Sequence, residues 1–249
     1  MARTCVFCGG TGKMSAEHVF PQWSREYLRE VEGKGTHTRK ILHGDGRISA
    51  RSHKADPATA TVKTVCASCN NGWMSRLESE AMPFLLSMIK GHRRTYYDAG
   101  KALIARWTLK TALVSGSAFH VPTPKHFYDD FYRSREPSET TRIWLAATNR
   151  KNFHTVDYRP LKISPADGPP VPTENAFAAL LSLGFLGFYV IGWRERIPDF
   201  DTLRPFDDAL VPLWPTEGPT TWPPRRRLDE GGLDQLADAL ASWGKTAAP

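Results

Sequence analysis

The sequence predicts an α+β protein, with a small zinc-bound module over residues 1–90 and a larger α+β region over residues 91–249. Three observations carry that prediction. Two Cys-x-x-Cys pairs, Cys5/Cys8 and Cys66/Cys69, lie in a Gly-, His- and Lys/Arg-rich segment with little apolar periodicity. Helix-period apolar spacing then runs from Asn70 to Gly91 and resumes over 99–135. Beyond it, residues 141–214 hold β-branched and aromatic runs separated by proline-rich connectors.

Two residues between cysteines let both thiolates reach one ion from a tight turn. Four thiolates build a closed, tetrahedral zinc site with no open coordination position. Gly9, directly after the first pair, supplies the positive φ that such a turn needs. The pairs stand 57 residues apart, so one zinc would clamp the N-terminus onto the helix beginning near Asn70. A redox pair or unrelated thiols are the bland alternatives. A small module with little core often folds only around such a metal.

Between the pairs, "SREYLREV" (24–31) predicts a short helix and "ILHGDGRIS" (41–49) a hairpin turning at Gly44-Asp45-Gly46. Residues 50–60 read as a loop, and "TVKTV" (61–65) as a strand entering Cys66. The helix after Asn70 places Trp73, Leu77 and Met74 on one face, with Pro83 as a break or kink and Gly91 as the stop.

In the larger region, 99–119 predicts a buried helix and 124–135 a further one. Strands are expected at 141–149, 153–163, 176–193 and 208–214, and an amphipathic helix at 228–244. The stretch "AFAALLSLGFLGFYVIGW" (176–193) is close to a membrane span in length. Gly184 and Gly187 interrupt it, and its aromatic second half reads as buried strands. No membrane partner is expected. "MARTCVFCGG" has no apolar leader, so the expected compartment is the reducing cytoplasm, where paired cysteines favour metal over disulfides.

The net charge is +7 and is unevenly placed. Residues 1–98 hold 15 Lys/Arg against 9 Asp/Glu, whereas residues 99–249 hold 18 against 17. The basic excess travels with the cysteines. It is either a phosphate-binding surface or a solvated face. Arg76, Arg93 and Arg94 are the candidate nucleic-acid contacts, and Tyr96-Tyr97 could stack on bases or pack in the core. Arg225-Arg226-Arg227 reads as a solvated loop, and Trp73 and Trp107 as core.

The order Cys-x-x-Cys, Glu17-His18-Val-x-Pro21, Cys-x-x-Cys-Asn70 resembles the zinc-knuckle branch of the HNH endonucleases, which have a ββα-metal fold. "CNNGWMSRLE" (69–78) and "IARWTLKTALV" (104–114) are also similar to uncharacterised bacterial HNH-like proteins, a likeness covering residues 1–115. The resemblance implies metal-dependent hydrolysis of phosphodiester bonds in DNA, or RNA, leaving 5′-phosphate and 3′-hydroxyl ends. His18 would be the general base, an imidazole suited to proton transfer near neutral pH. Glu17 and Asn70 would hold a catalytic divalent cation, Mg²⁺ or Mn²⁺.

Neighbours on a regular strand point to opposite faces, so Glu17 and His18 act together only where that strand ends or bulges. The sequence also departs from the family's pattern. The middle Asn that orients the base is absent, and Thr61 stands nearest its place; His37, His43, Asp45 or His53 are possible replacement partners. Alternatives stay open at each site. Glu17 and His18 can be structural, Asn70 can be a helix N-cap, and Asn71 can do either job. The chain as a whole can be a non-cutting nucleic-acid-binding zinc protein, or a different metal-dependent enzyme acting on a small substrate in the same pocket.

Overall fold

The computed structural model describes residues 3–29, 36–42, 48–54, 61–118, 123–148, 156–160, 176–194 and 205–229, with Gly232, Gln235 and Leu236. After the first cysteine pair the chain forms β1 (Met14–His18) and a short helix α1 (Ser24–Arg29), followed by β2 (Thr36–Leu42), β3 (Ile48–Lys54) and β4 (Thr61–Cys66). β1 pairs antiparallel not with its successor but with β4, from Met14↔Cys66 to His18↔Thr61. The intervening β2 and β3 pair with each other, from Thr36↔Lys54 to Leu42↔Ile48. The expected hairpin is therefore present, but its strands extend through residues 50–54, where a loop was expected. Gly44-Asp45-Gly46 lies outside the described residues.

β4 runs directly into a helical segment: α2 (Ala67–Cys69), a wide π-type turn (Asn70–Met74) and α3 (Ser75–Ile89). The irregularity falls at Gly72, whose φ −92° and ψ −108° are not helical. Pro83, expected to break or kink the helix, sits inside α3 without ending it. α3 stops at Lys90, and Gly91 follows at φ +70°. That is a left-handed step which glycine takes at little cost.

Beyond it come β5 (Arg94–Tyr96), α4 (Asp98–Ala118), α5 (Lys125–Ser134), β6 (Thr141–Ala147), β7 (Val156–Pro160), β8 (Ala176–Leu183), β9 (Leu186–Trp193), β10 (Leu210–Trp214) and β11 (Thr220–Trp222). Five of these strands form an antiparallel sheet in the order β10-β6-β9-β8-β7. The stretch 176–193 is its β8–β9 hairpin, turning at Gly184 with φ +59°, and every residue of both strands is buried. β5 and β11 make a separate pair that the sequence did not signal. Most of the expected 228–244 helix lies outside the described residues.

α4 is the hinge of this architecture. It packs against α3 and β4 and also against β10, β9 and β7 of the sheet. Trp107 on α4 meets Phe188 of β9 at 5.4 Å between ring centroids. One apolar core consequently runs from Cys5 and Phe7 through Met74, Leu77 and Trp107 to Leu145, Phe177 and Phe188, on both sides of residue 90. Phe7 also stacks edge-on against Trp73 and Tyr128, at 5.4 and 5.3 Å, so aromatic contacts tie the first cysteine turn to α5. Among the described residues, no helix is long and apolar enough to cross a membrane.

Candidate functional site

The two cysteine turns differ in form: the first turns at a positive-φ glycine, and the second opens the short helix α2. Around the first, Gly9 N–H donates to the Cys5 carbonyl at 2.9 Å, and Gly10 N–H points at Cys8 Sγ at 3.4 Å. Gly9 itself has φ +69°, as the turn requires. Around the second, Cys69 N–H points at Cys66 Sγ at 3.5 Å. Val6 N–H donates to the Thr64 carbonyl and Ala67 N–H to the Lys13 carbonyl, lacing the two turns together.

The result is a cluster of four sulfurs all within 4.8 Å of one another, in a chain whose cysteines are all unbridged. Cys8 Sγ and Cys66 Sγ stand 3.7 Å apart. A tetrahedron with zinc–sulfur bonds of about 2.3 Å has an edge of roughly 3.8 Å. Donor type, number and spacing therefore fit a metal ion such as zinc. Burial raises the Cys69 and Cys8 thiols. At Cys5 burial also raises, but the backbone N–H groups of Cys8, Cys66 and Phe7 outweigh it and bring the thiol down.

β1 carries the Glu-His pair beside this cluster. Its register against β4 shifts between Ser15 and Glu17, and the strand ends at His18. The shift precedes Glu17, while Glu17 and His18 keep consecutive partners, Val62 and Thr61, on β4. Glu17 is 4% exposed, whereas His18 is only partly buried. Both ring nitrogens of His18 lie 3.4 Å from the Gln22 amide nitrogen. Burial holds its pKa below 6.5, nearby Arg25 adds to the effect, and Glu78 opposes it. Thr61, the residue nearest the place of the absent Asn, is the register partner of His18. His37 and His53 pair with each other on β2 and β3, while His43 and Asp45 lie outside the described residues.

Glu17 does not face open space. Its Oε1 accepts from Lys110 Nζ at 3.5 Å, and the same ammonium donates to Glu78 Oε1 at 2.6 Å. Lys110 is on α4, its side chain is fully buried, and Glu78 on α3 is 23% exposed. Burial pulls the Lys110 pKa down; Glu78 and Glu17 more than offset it, and the lysine is held above its ordinary pKa. For Glu17 burial is the largest influence and pushes the carboxyl up, against the pull of Lys110.

Asn70, in the wide turn before α3, donates from Nδ2 to Ser15 Oγ at 2.6 Å, tying the start of the helical segment to β1. Its backbone N–H returns to the Ala67 carbonyl as the C-cap of α2. The N-cap alternative is not what it does here. Glu17 is thus engaged by an ammonium and the Asn70 amide nitrogen by Ser15. Among the described residues, the cysteines are the one group of three or more Cys, His, Asp or Glu side chains close enough to share an ion.

The arginines separate. Arg76 is exposed on the first turn of α3, near Asn70 in the chain. Arg93 and Arg94 are exposed beyond the far end of that helix, which spans about 20 Å. Tyr96 is buried, with its hydroxyl on the Phe84 carbonyl, while Tyr97 is 70% exposed. Arg226 is paired with Asp208 at 2.7 Å.

Sequence reasoning missed Lys110 and Glu78. The signal was present: a lysine inside "IARWTLKTALV", a stripe read as buried, must find a countercharge, because an unpaired buried ammonium is very costly. Compared with known proteins, the chain matches no protein-family model, no curated protein and no solved structure.

Proposed function

We propose that this chain hydrolyses phosphodiester bonds of DNA, with His18 as general base on a zinc-bound ββα-metal frame. The supporting observation is the pairing of β1 with β4 beside the cysteine cluster. That pairing carries His18 to the end of an irregular strand, with Asn70 and the start of the following helix alongside through Ser15. Zinc held by Cys5, Cys8, Cys66 and Cys69 fixes the frame and takes no part in the chemistry, since four thiolates leave it no open position.

In this reading His18 removes a proton from water as the water attacks phosphorus. Its lowered pKa keeps the imidazole neutral and able to accept that proton near pH 7. Arg76, exposed on the first turn of α3, supplies positive charge to the phosphate backbone, and the basic surplus of residues 1–98 steers nucleic acid toward it. RNA is the other substrate of the same chemistry.

The test is nicking of supercoiled plasmid by the zinc-loaded protein in buffers with Mg²⁺ or Mn²⁺. His18→Ala is expected to lower the rate by about 10²–10⁴-fold, the usual contribution of a general base. The rate of the wild type should hold on acidification until below pH 6.5, because the free-enzyme base titrates lower than an ordinary imidazole. A second reading, a nucleic-acid-binding zinc protein that does not cut, is favoured by Thr61 opposite His18 in place of an amide. Equal background nicking by wild type and His18→Ala, with DNA binding retained in both, selects it.

A further inference from the structure

We propose that the Lys110 ammonium is the resident cation beside Glu17 and Glu78, standing in for the divalent ion that the nuclease reading puts on Glu17. The inference rests on that reading for the ion it replaces, but not for the charge cluster itself. Three elements converge to make the cluster: Glu17 from β1, Glu78 from α3 and Lys110 from α4. They come from three separate stretches of sequence, and Glu17 and Lys110 are 93 residues apart.

The geometry argues for occupation by the protein's own charge. Lys110 is fully buried, so its ammonium has no route to water and depends on these two carboxylates. A Mg²⁺ ion binds carboxylate oxygen at about 2.1 Å and demands near-octahedral surroundings. With Lys110 Nζ 3.5 Å from Glu17 Oε1, an ion on that oxygen would sit within about 6 Å of a fixed positive charge in a site shielded from water. The like charges repel, and the ammonium, being covalently tethered, cannot diffuse away.

The experiment titrates Mn²⁺ alone, without nucleic acid, into the zinc-loaded full chain, reading free Mn²⁺ by electron paramagnetic resonance. Wild type, Glu17→Gln and Lys110→Met are compared, with zinc content and cooperative unfolding as the check on folding. Glu17→Gln should leave Mn²⁺ binding within threefold of wild type, including the case where neither binds. Lys110→Met leaves two carboxylates facing each other without a cation, and should bind Mn²⁺ at least tenfold more tightly than wild type. A weakening of threefold or more in folded Glu17→Gln overturns the proposal, as does a folded Lys110→Met that gains nothing. If Lys110→Met does not fold, Glu17→Gln alone decides. Plasmid nicking is not read here, so loss of the nuclease reading and loss of this inference are separate results.

Discussion

Two charge clusters lie within the first 110 residues, and they solve the same problem in opposite ways. The cysteine cluster gathers four ligands of one kind that could hold a metal ion such as zinc. The Glu17–Lys110–Glu78 cluster gathers two acids around an ammonium the chain supplies itself. The first joins two turns that have little core of their own. The second joins β1, α3 and α4 inside a core already packed around Trp107. The difference teaches that buried like charges need a counter-ion, and that where the counter-ion comes from decides whether folding depends on the solution.

Removal of a metal bound at the four cysteines should have the largest effect. Structural zinc sites contribute about 10–16 kcal/mol of apparent binding energy at neutral pH. A strong chelator, or Cys66→Ser, should therefore melt β1, β4 and the turn before α3, read as loss of far-ultraviolet circular dichroism and of slow amide exchange over residues 5–74. Unchanged spectra in chelator would mean that these turns hold without metal.

Lys110→Ala comes next. Removing one partner of a buried ion cluster leaves its acids uncompensated, and denaturant unfolding should show a loss of about 3–5 kcal/mol. The zinc content should be unchanged, because the two clusters share no ligand. A loss within about 0.5 kcal/mol would show that Glu17 and Glu78 find water instead.

Alkaline pH sharpens the same contrast more gently. The folded pKa of Lys110 lies above its ordinary 10.5, so its stabilisation is fully present below that value and is lost as pH rises through the folded one. Stability measured against pH should fall there in wild type and stay flatter in Lys110→Met. Equal slopes would remove Lys110 as the cause.

His18→Ala should have the smallest effect on stability, within about 0.5 kcal/mol, since the ring is partly exposed and its hydrogen-bond contacts among the described residues are the long ones to Gln22. A loss of 2 kcal/mol or more by denaturant unfolding, an amount of the order of a buried unsatisfied group, would make His18 structural.

Local chemistry was legible throughout. The spacing of Cys5/Cys8 and Cys66/Cys69 announced a four-sulfur cluster. Gly9 and Gly91 marked their positive-φ turns, and the apolar run 176–193 became buried strands. What failed was rigidity assigned to one residue at a time. Pro83 was expected to interrupt α3, but packing at Leu77, Ala81, Leu85 and Met88 carries the helix through it, and the irregular step is at Gly72. Short strands such as β5 and β11 left no trace because three residues are too few for a period.

The sequence by itself determined which groups this protein owns: four thiols in two tight turns, an acid next to a histidine, and a lysine in the middle of an apolar helix. Those follow from spacings of two to four residues, which covalent geometry turns into proximity. Only the tertiary structure decided who meets whom. β1 passed over β2 and β3 to pair with β4, Thr61 came opposite His18, and α4 delivered Lys110 to Glu17 from 93 residues away. The reason is that long-range pairing is selected by the free energy of burying whole faces and their charges together, and no local window of the chain contains that sum.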